Sequence, residues 1–138
     1  MLEDRSPLAT RWADAWNAHD VDAVTGWYTA DATHRMAGGN TYTGTGAIRD
    51  MVTRTLTAYP DLAFAVRRAI ATGDEFAIEY TMRGTQQAPV SDRPGTGRSI
   101  TVDGALVGAV DDQGRVVTCV DYLDHHDVRR QLGLVPEV

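Results

Sequence analysis

Asp121, Asp124 and His34 are the side chains whose types and settings suit proton transfer. Asp121 lies in "CVDYLDHHDVRRQLGL", residues 119–134, which begins as an apolar alternation and ends as an amphipathic segment. In a strand it shares a face with Val117, Cys119 and Leu123, so its carboxylate either lines a hollow or pairs with an arginine. An unperturbed Asp, pKa ~3.9, is a weak base. Apolar burial raises that value by up to ~3–5 units, and a base tuned this way gives ~10²–10⁴-fold acceleration when it takes a proton next to a carbonyl. Asp124 stands just ahead of "HHDVRRQLG", where a helix N-cap accounts for it as simply as chemistry does. His34 has the side chain whose pKa lies nearest neutrality, with a structural role as the competing account.

Around these groups, Trp16 and Trp27 offer faces for a flat ligand. Met36 and Tyr80 are expected to line the same hollow. Tyr42, beside Asn40 in a Gly-rich stretch, is placed to hydrogen-bond at its mouth. His125 and His126 are adjacent, about 100° apart on a helix, and cannot share a metal in the i, i+4 manner, so no metal site is expected. "TGTG" at 43–46 and "PGTG" at 94–97 lack a following phosphate-loop lysine. No Ser-His-Asp order or nucleophile elbow is present. The single cysteine, Cys119, permits no internal disulfide and reads as a core filler.

The elements that must position these groups follow from periodicity. Ser6–Pro7 reads as a helix start, with Leu8, Trp12, Ala15 and Trp16 at helical spacing. "NAHD" at 17–20 breaks that helix, leaving His19 solvated. Asp20 caps a second, with Val21, Val24, Trp27 and Tyr28 on one face. Asp31 falls in a turn, Thr33 to Met36 is extended, and 37–46 is a Gly/Thr-rich loop. Thr45 is expected to cap a third helix, with Ile48, Met51, Val52, Leu56 and Tyr59 on its apolar face and Pro60 as its stop.

The period then changes to two. "DLAFAVRRAIA" is a strand and "TGDE" a tight turn. "FAIEYTMRG" alternates, with Phe76, Ile78, Tyr80 and Met82 on one side. A polar Gly/Pro loop at 84–98 has the length of a functional or mobile segment. "SITVDGALVGAV" and "RVVTCVDYL" are the last strands, before a short helix ending at Gly133. Helices followed by strands predict an α+β fold: three N-terminal helices on a curved, mostly antiparallel sheet, a cone-shaped barrel whose mouth takes a small molecule.

The 138 residues fit one domain, 1–138, able to bury a core without disulfides or metal. The net charge of −6, with no Lys/Arg cluster, argues against nucleic-acid binding. No apolar run approaches the roughly 20 residues of a membrane span. The polar "MLEDRSPLAT" is not a secretory signal. With the lone cysteine, this suits a reducing cytoplasm.

"RWADAWNAHDVDAVTGWYTADATH", "YPDL", "MRGT", "TGRSI" and the closing "DYLD…RRQLG" resemble, over nearly the whole chain, the SnoaL-like polyketide cyclases of the nuclear-transport-factor-like superfamily. The resemblance implies a cofactor-free intramolecular aldol ring closure on a polyketide ester, Asp121 as general acid/base before Tyr122, and a homodimer packed sheet to sheet. The family's Gln and His partners on the preceding strand align, without gaps, with Ala105 and Val107. Ketosteroid isomerases share the superfamily, but aligned through "YTADATH" their functional positions hold Met36, Trp12 and Leu106 here, which argues against that route. Two alternatives stand beside the cyclase. One is a non-catalytic module binding a small apolar ligand or a second copy. The other is an epoxide hydrolase or dehydratase, which needs His34 or Asp124 to converge with Asp121.

Overall fold

The computed structural model describes residues 6–89 and 95–135. Helix α1 (Ser6–Asn17) buries Trp12 and Trp16. Pro7 stands in its first turn, where a missing N–H costs nothing; the Ser6 side chain, expected as the cap, lies outside the described residues. The "NAHD" break is a clamp. Asn17 donates to the Phe64 carbonyl at 3.0 Å and accepts from the Phe64 N–H at 2.8 Å. His19 is exposed, as expected, and its Nε2 also meets the Leu62 carbonyl at 2.8 Å. Asp20 caps α2 (Val21–Thr25), accepting from the Ala23 N–H. Helix α3 (Gly44–Ala58) is entered through Gly44, whose φ of 86° suits glycine. Thr45, expected as its cap, donates to the Ala30 carbonyl instead.

The remaining elements are β1 (Tyr28–Met36), β2 (Thr41–Thr43), β3 (Ala63–Thr72), β4 (Glu75–Thr85), β5 (Ser99–Val110), β6 (Val116–Leu123) and α4 (His125–Gln131). Among the described residues they give four helices and one six-stranded sheet, in the order β2-β1-β6-β5-β4-β3. Every neighbouring pair is antiparallel except β1 with β6, which is parallel. β1 begins earlier than the sequence suggests: Asp31 lies within the strand, not in a turn. β1 pairs with β6 at Tyr28 and again from Thr33, and residues 29–32 bridge the two as a bulge held between paired ends.

Register shifts in β1, in β3 and between β5 and β6 mark bulges that bend the sheet. The concave face closes over α1 and α3, an open cone with the core between helices and sheet. The β5–β6 bulge also corrects the expected face of Asp121. Ala109 pairs with Thr118 but Val110 with Val116, so Val117 is the extra residue. It turns outward, 37 % exposed, while Val116 is fully buried in its place. No helix among the described residues is long and apolar enough to cross a membrane.

Candidate active site

A cavity of about 430 Å³ opens between the helices and the concave sheet. Aromatic side chains build one wall. Trp12 and Trp16 come from α1, Phe64 from β3 and Tyr80 from β4, with ring centroids 4.7 Å apart for Trp12–Phe64, 5.1 Å for Phe64–Tyr80 and 5.5 Å for Trp16–Phe64. Strands β1 and β6 build the opposite wall. Their parallel register sets His34 beside Cys119 and Met36 beside Asp121. Paired residues point to one face, so all four look inward. Tyr42, opposite His34 on β2, extends this wall, and Asn40 reaches the cavity from the loop before it.

Asp121 is half-buried and lines this cavity. Its Oδ1 accepts the Tyr80 hydroxyl at 2.6 Å, the short distance of a bond to a charged acceptor. Burial pushes its carboxyl up to about 6, against the opposing pull of the Tyr80 hydrogen bond. Among the described residues no Lys, Arg or His forms an ion pair with it. The Tyr80 hydroxyl, held above its ordinary range by burial and by the neighbouring carboxylate, stays a donor.

His34 is buried, and burial pulls its imidazole down to about 4, so the ring is neutral near pH 7. Its Nδ1 lies 3.0 Å from the Tyr28 hydroxyl and 3.3 Å from the Cys119 sulfur. Burial, first, and then the charges nearby keep Tyr28 protonated. A phenol that donates to Nδ1 places the ring proton on Nε2, which has no partner among the described residues. Burial pushes the Cys119 thiol up to about 12, which makes it a packing group with no nucleophilic character.

The structure therefore gathers Asp121, His34, Trp16, Met36, Tyr42 and Tyr80 around one space. It leaves out two expected residues. Asp124 is exposed and caps α4, accepting from the Asp127 N–H at 2.9 Å. Trp27 packs in the core against Tyr28 and Phe76, at 5.4 and 5.7 Å, away from the cavity lining. The strand alternation also reassigns the aligned partners. Ala105 and Val107 fall on the outer face of β5, and the inward positions are Gly104, Leu106 and Gly108. None carries a side-chain donor. Trp12, placed on the apolar face of its helix, and Phe64, which the sequence did not single out, are cavity wall as well; only the register of three elements reveals it.

Helix α4 closes one side of the mouth with His125, Val128 and Arg129. Gln131 holds it there. Its amide accepts from the Thr101 N–H and donates to the Thr101 carbonyl, both at 2.9 Å, on the part of β5 beyond the end of β6. Gln131→Met keeps the length and removes these bonds. It is expected to cost about 1–2 kcal/mol in urea denaturation and to speed amide exchange in α4. Unchanged exchange there would mean that Val128 and Leu132 alone seat the helix.

The SnoaL-like domain profile matches residues 9–119. The chain belongs to the SnoaL-like domain family. The match stops two residues before Asp121, so that residue rests on the geometry above. Three solved structures share the SnoaL-like cone. AclR, a proposed hydroxylase from Streptomyces galilaeus, is 23% identical, with 99% of this chain and 100% of that one aligned at a TM-score of 0.82. IdmH, a proposed polyketide cyclase from Streptomyces antibioticus, is 22% identical over 95% and 99%, at 0.77. A protein of ketosteroid isomerase-like fold from Catenulispora acidiphila, solved with trimethylamine, is 25% identical over 93% of each chain, at 0.78. No curated protein matches the chain in sequence. This SnoaL-like chain thus has a scaffold shared with proteins named as cyclases and a hydroxylase. Among its described residues no three His, Cys, Asp or Glu side chains gather into a metal-holding group.

Proposed function

We propose that the protein is a cofactor-free acid/base enzyme that closes a ring in a hydrophobic polyketide-type carbonyl compound by an intramolecular aldol reaction. One observation carries this reading: the Asp121 carboxylate stands in an aromatic hollow with one oxygen held by Tyr80 and no cation paired to it among the described residues. Asp121 takes a proton from the carbon next to a carbonyl and becomes a carboxylic acid. The electron pair left behind forms a carbon–carbon bond to a second carbonyl of the same molecule. The resulting alkoxide takes the proton back, and the carboxylate is restored with no net redox change. His34, neutral and with no partner at its buried Nε2 among the described residues, lines the same cavity and is the group nearest in kind to an enolate donor once its ring turns to the substrate. The Trp16 and Phe64 faces hold the flat chain.

The test is hydrogen–deuterium exchange at C2 of a hydrophobic β-keto ester in D2O, followed by proton NMR. The wild type is expected to exceed the buffer rate, and Asp121→Asn to match the buffer. Equal rates in the two proteins reject the reading. A hydrolase or dehydratase on the same cone loses Asp124, which is committed to its helix, and is left with His34 as the group that shares the cavity with Asp121.

The uncompensated carboxylate beside aromatic faces also favours a second reading, a binding module for a small amine. The trimethylamine held by the relative of 25% identity fits it. Calorimetric binding of trimethylammonium that Asp121→Asn abolishes, without any exchange activity in the wild type, would select it.

A second copy of the chain is the proposed partner, seated on the outer sheet face. There Val107 is 44 % and Tyr122 50 % exposed, and cross-strand pairing sets Val107 between Val120 and Ala77. Val107→Lys is expected to convert a dimer to a monomer in light scattering, with the cavity intact. A lysine variant with unchanged mass removes this face as the contact.

A further inference from the structure

Tyr80 and Asp121 are not on neighbouring strands. Tyr80 belongs to β4 and Asp121 to β6, with β5 between them. Tyr80 pairs with Gly104, and Gly104 in turn with Leu123, two residues past Asp121. The phenol therefore crosses β5 above residue 104. A Cβ there would stand 2.5 Å from Tyr80 Cζ and collide with its hydroxyl oxygen. Gly104 does not have positive φ, so backbone conformation does not call for glycine here. The space does.

We propose that Gly104 is a positioning residue whose missing side chain lets Tyr80 span a strand and occupy Oδ1 of Asp121, leaving Oδ2 as the oxygen that meets the substrate. The inference rests on the acid/base reading of Asp121 and deepens it. Trp12 and Phe64 fix the ring that makes the crossing, with centroids 5.4 and 5.1 Å from Tyr80. Oδ1 is the carboxylate's one hydrogen-bonded oxygen among the described residues. One oxygen tied down sets the orientation of the other. The inward positions of β5 carry no donor, so the Tyr80 hydroxyl takes the place of a partner from the adjacent strand.

The test reads the carboxyl itself by carbon-13 NMR titration of Asp-labelled protein, which needs no substrate. The Tyr80 bond favours the charged form, so its loss raises the Asp121 midpoint. Tyr80→Phe is expected to raise it by about one unit. Gly104→Ala is expected to raise it in the same direction and by a similar amount, and the double variant no further than Tyr80→Phe alone. His34 and Tyr28 on β1, Tyr42 on β2, Tyr59 at the end of α3, and His125 and Arg129 on α4 also line this space, with Cys119 on β6 behind His34. All are common to every variant, so the comparison isolates Tyr80. A Gly104→Ala protein that folds and keeps the wild-type midpoint overturns the proposal, as does a Tyr80→Phe midpoint that does not move. If Gly104→Ala does not fold, Gly104→Ala/Tyr80→Ala is expected to match the stability of Tyr80→Ala alone, and a double variant clearly less stable than Tyr80→Ala overturns it. Exchange activity that survives in Asp121→Asn is a separate failure, that of the enzyme reading.

Discussion

Asp121→Asn is expected to lower turnover by at least ~10²-fold at neutral pH and at the same time to stabilise the fold by as much as ~3 kcal/mol. Both effects come from one cause. Burial lifts the Asp121 carboxyl from its ordinary 3.8 to about 6, so above pH 6 the folded protein carries a charge that it solvates poorly. Asparagine keeps an oxygen for the Tyr80 hydroxyl and carries no charge. The sign follows from proton counting. Between pH ~4 and 6 the folded state holds a proton on Asp121 that the unfolded chain has lost, so this group's contribution to stability falls as pH rises through that window. The advantage of the variant is therefore near zero below pH 4, opens between 4 and 6, and is level above 6.

His34 acts with the opposite sign. Burial lowers it from 6.5 to about 4, the unfolded chain takes the proton first, and stability falls as pH drops through 6.5 to 4. In the wild type these slopes oppose each other over nearly the same range. In Asp121→Asn the His34 slope stands alone, so the variant loses stability on acidification more steeply. Urea denaturation at pH 4, 5, 6 and 7 measures this. A variant no more stable than the wild type at pH 7 would show that Asp121 is well solvated, and with that its tuning as a base would go. The rate of the wild type should rise through pH 6 with the carboxylate.

What sequence reveals here divides by distance. The alternation of Phe76, Ile78, Tyr80 and Met82 is local, and all four are buried on one face of β4. The cap of Asp20 and the capping alternative for Asp124 are local too. Asp121 had two open fates, a hollow or an arginine partner, and it lines the hollow. What stayed hidden depends on register between distant segments. Nothing near Thr29 or Asp31 announces a strand, because its partner β6 lies far along the chain. Val117 leaves its expected face through a bulge set by β5. An ungapped alignment placed Ala105 and Val107 beside Asp121, whereas a one-residue offset in a strand changes the face. The contact between Tyr80 and Asp121 requires three strands in register and a bare position between them, which periodicity along one strand cannot encode.

Gly108→Ala is expected to be the most damaging single-methyl addition among the inward glycines of β5, costing about 3 kcal/mol or more. Gly108 pairs with Cys119 where the register between β5 and β6 shifts. A Cβ there would collide with the Thr118 carbonyl oxygen and stand 2.8 and 2.9 Å from the Cβ and Cα of Cys119. At Gly104 the nearest obstacle is the buried Tyr80 ring, with the Tyr122 carbonyl oxygen 3.0 Å away, so a side chain must repack and give up its hydrogen bond while the strands stay paired. At Gly108 it is mostly backbone, which can yield only by parting the two strands. Parting them breaks ladder bonds and shifts the strand that carries both Cys119 and Asp121, so activity falls with stability. Calorimetry should show a melting temperature lower by roughly 10 °C. Gly73→Ala supplies the control: its φ is 59° and a Cβ would meet nothing within 4 Å, so it bears backbone strain of about 1 kcal/mol without collision. A Gly108→Ala protein that melts no lower than Gly73→Ala would mean that β5 and β6 separate easily at the bulge. The seat of Asp121 would then have to be fixed by Tyr80 alone.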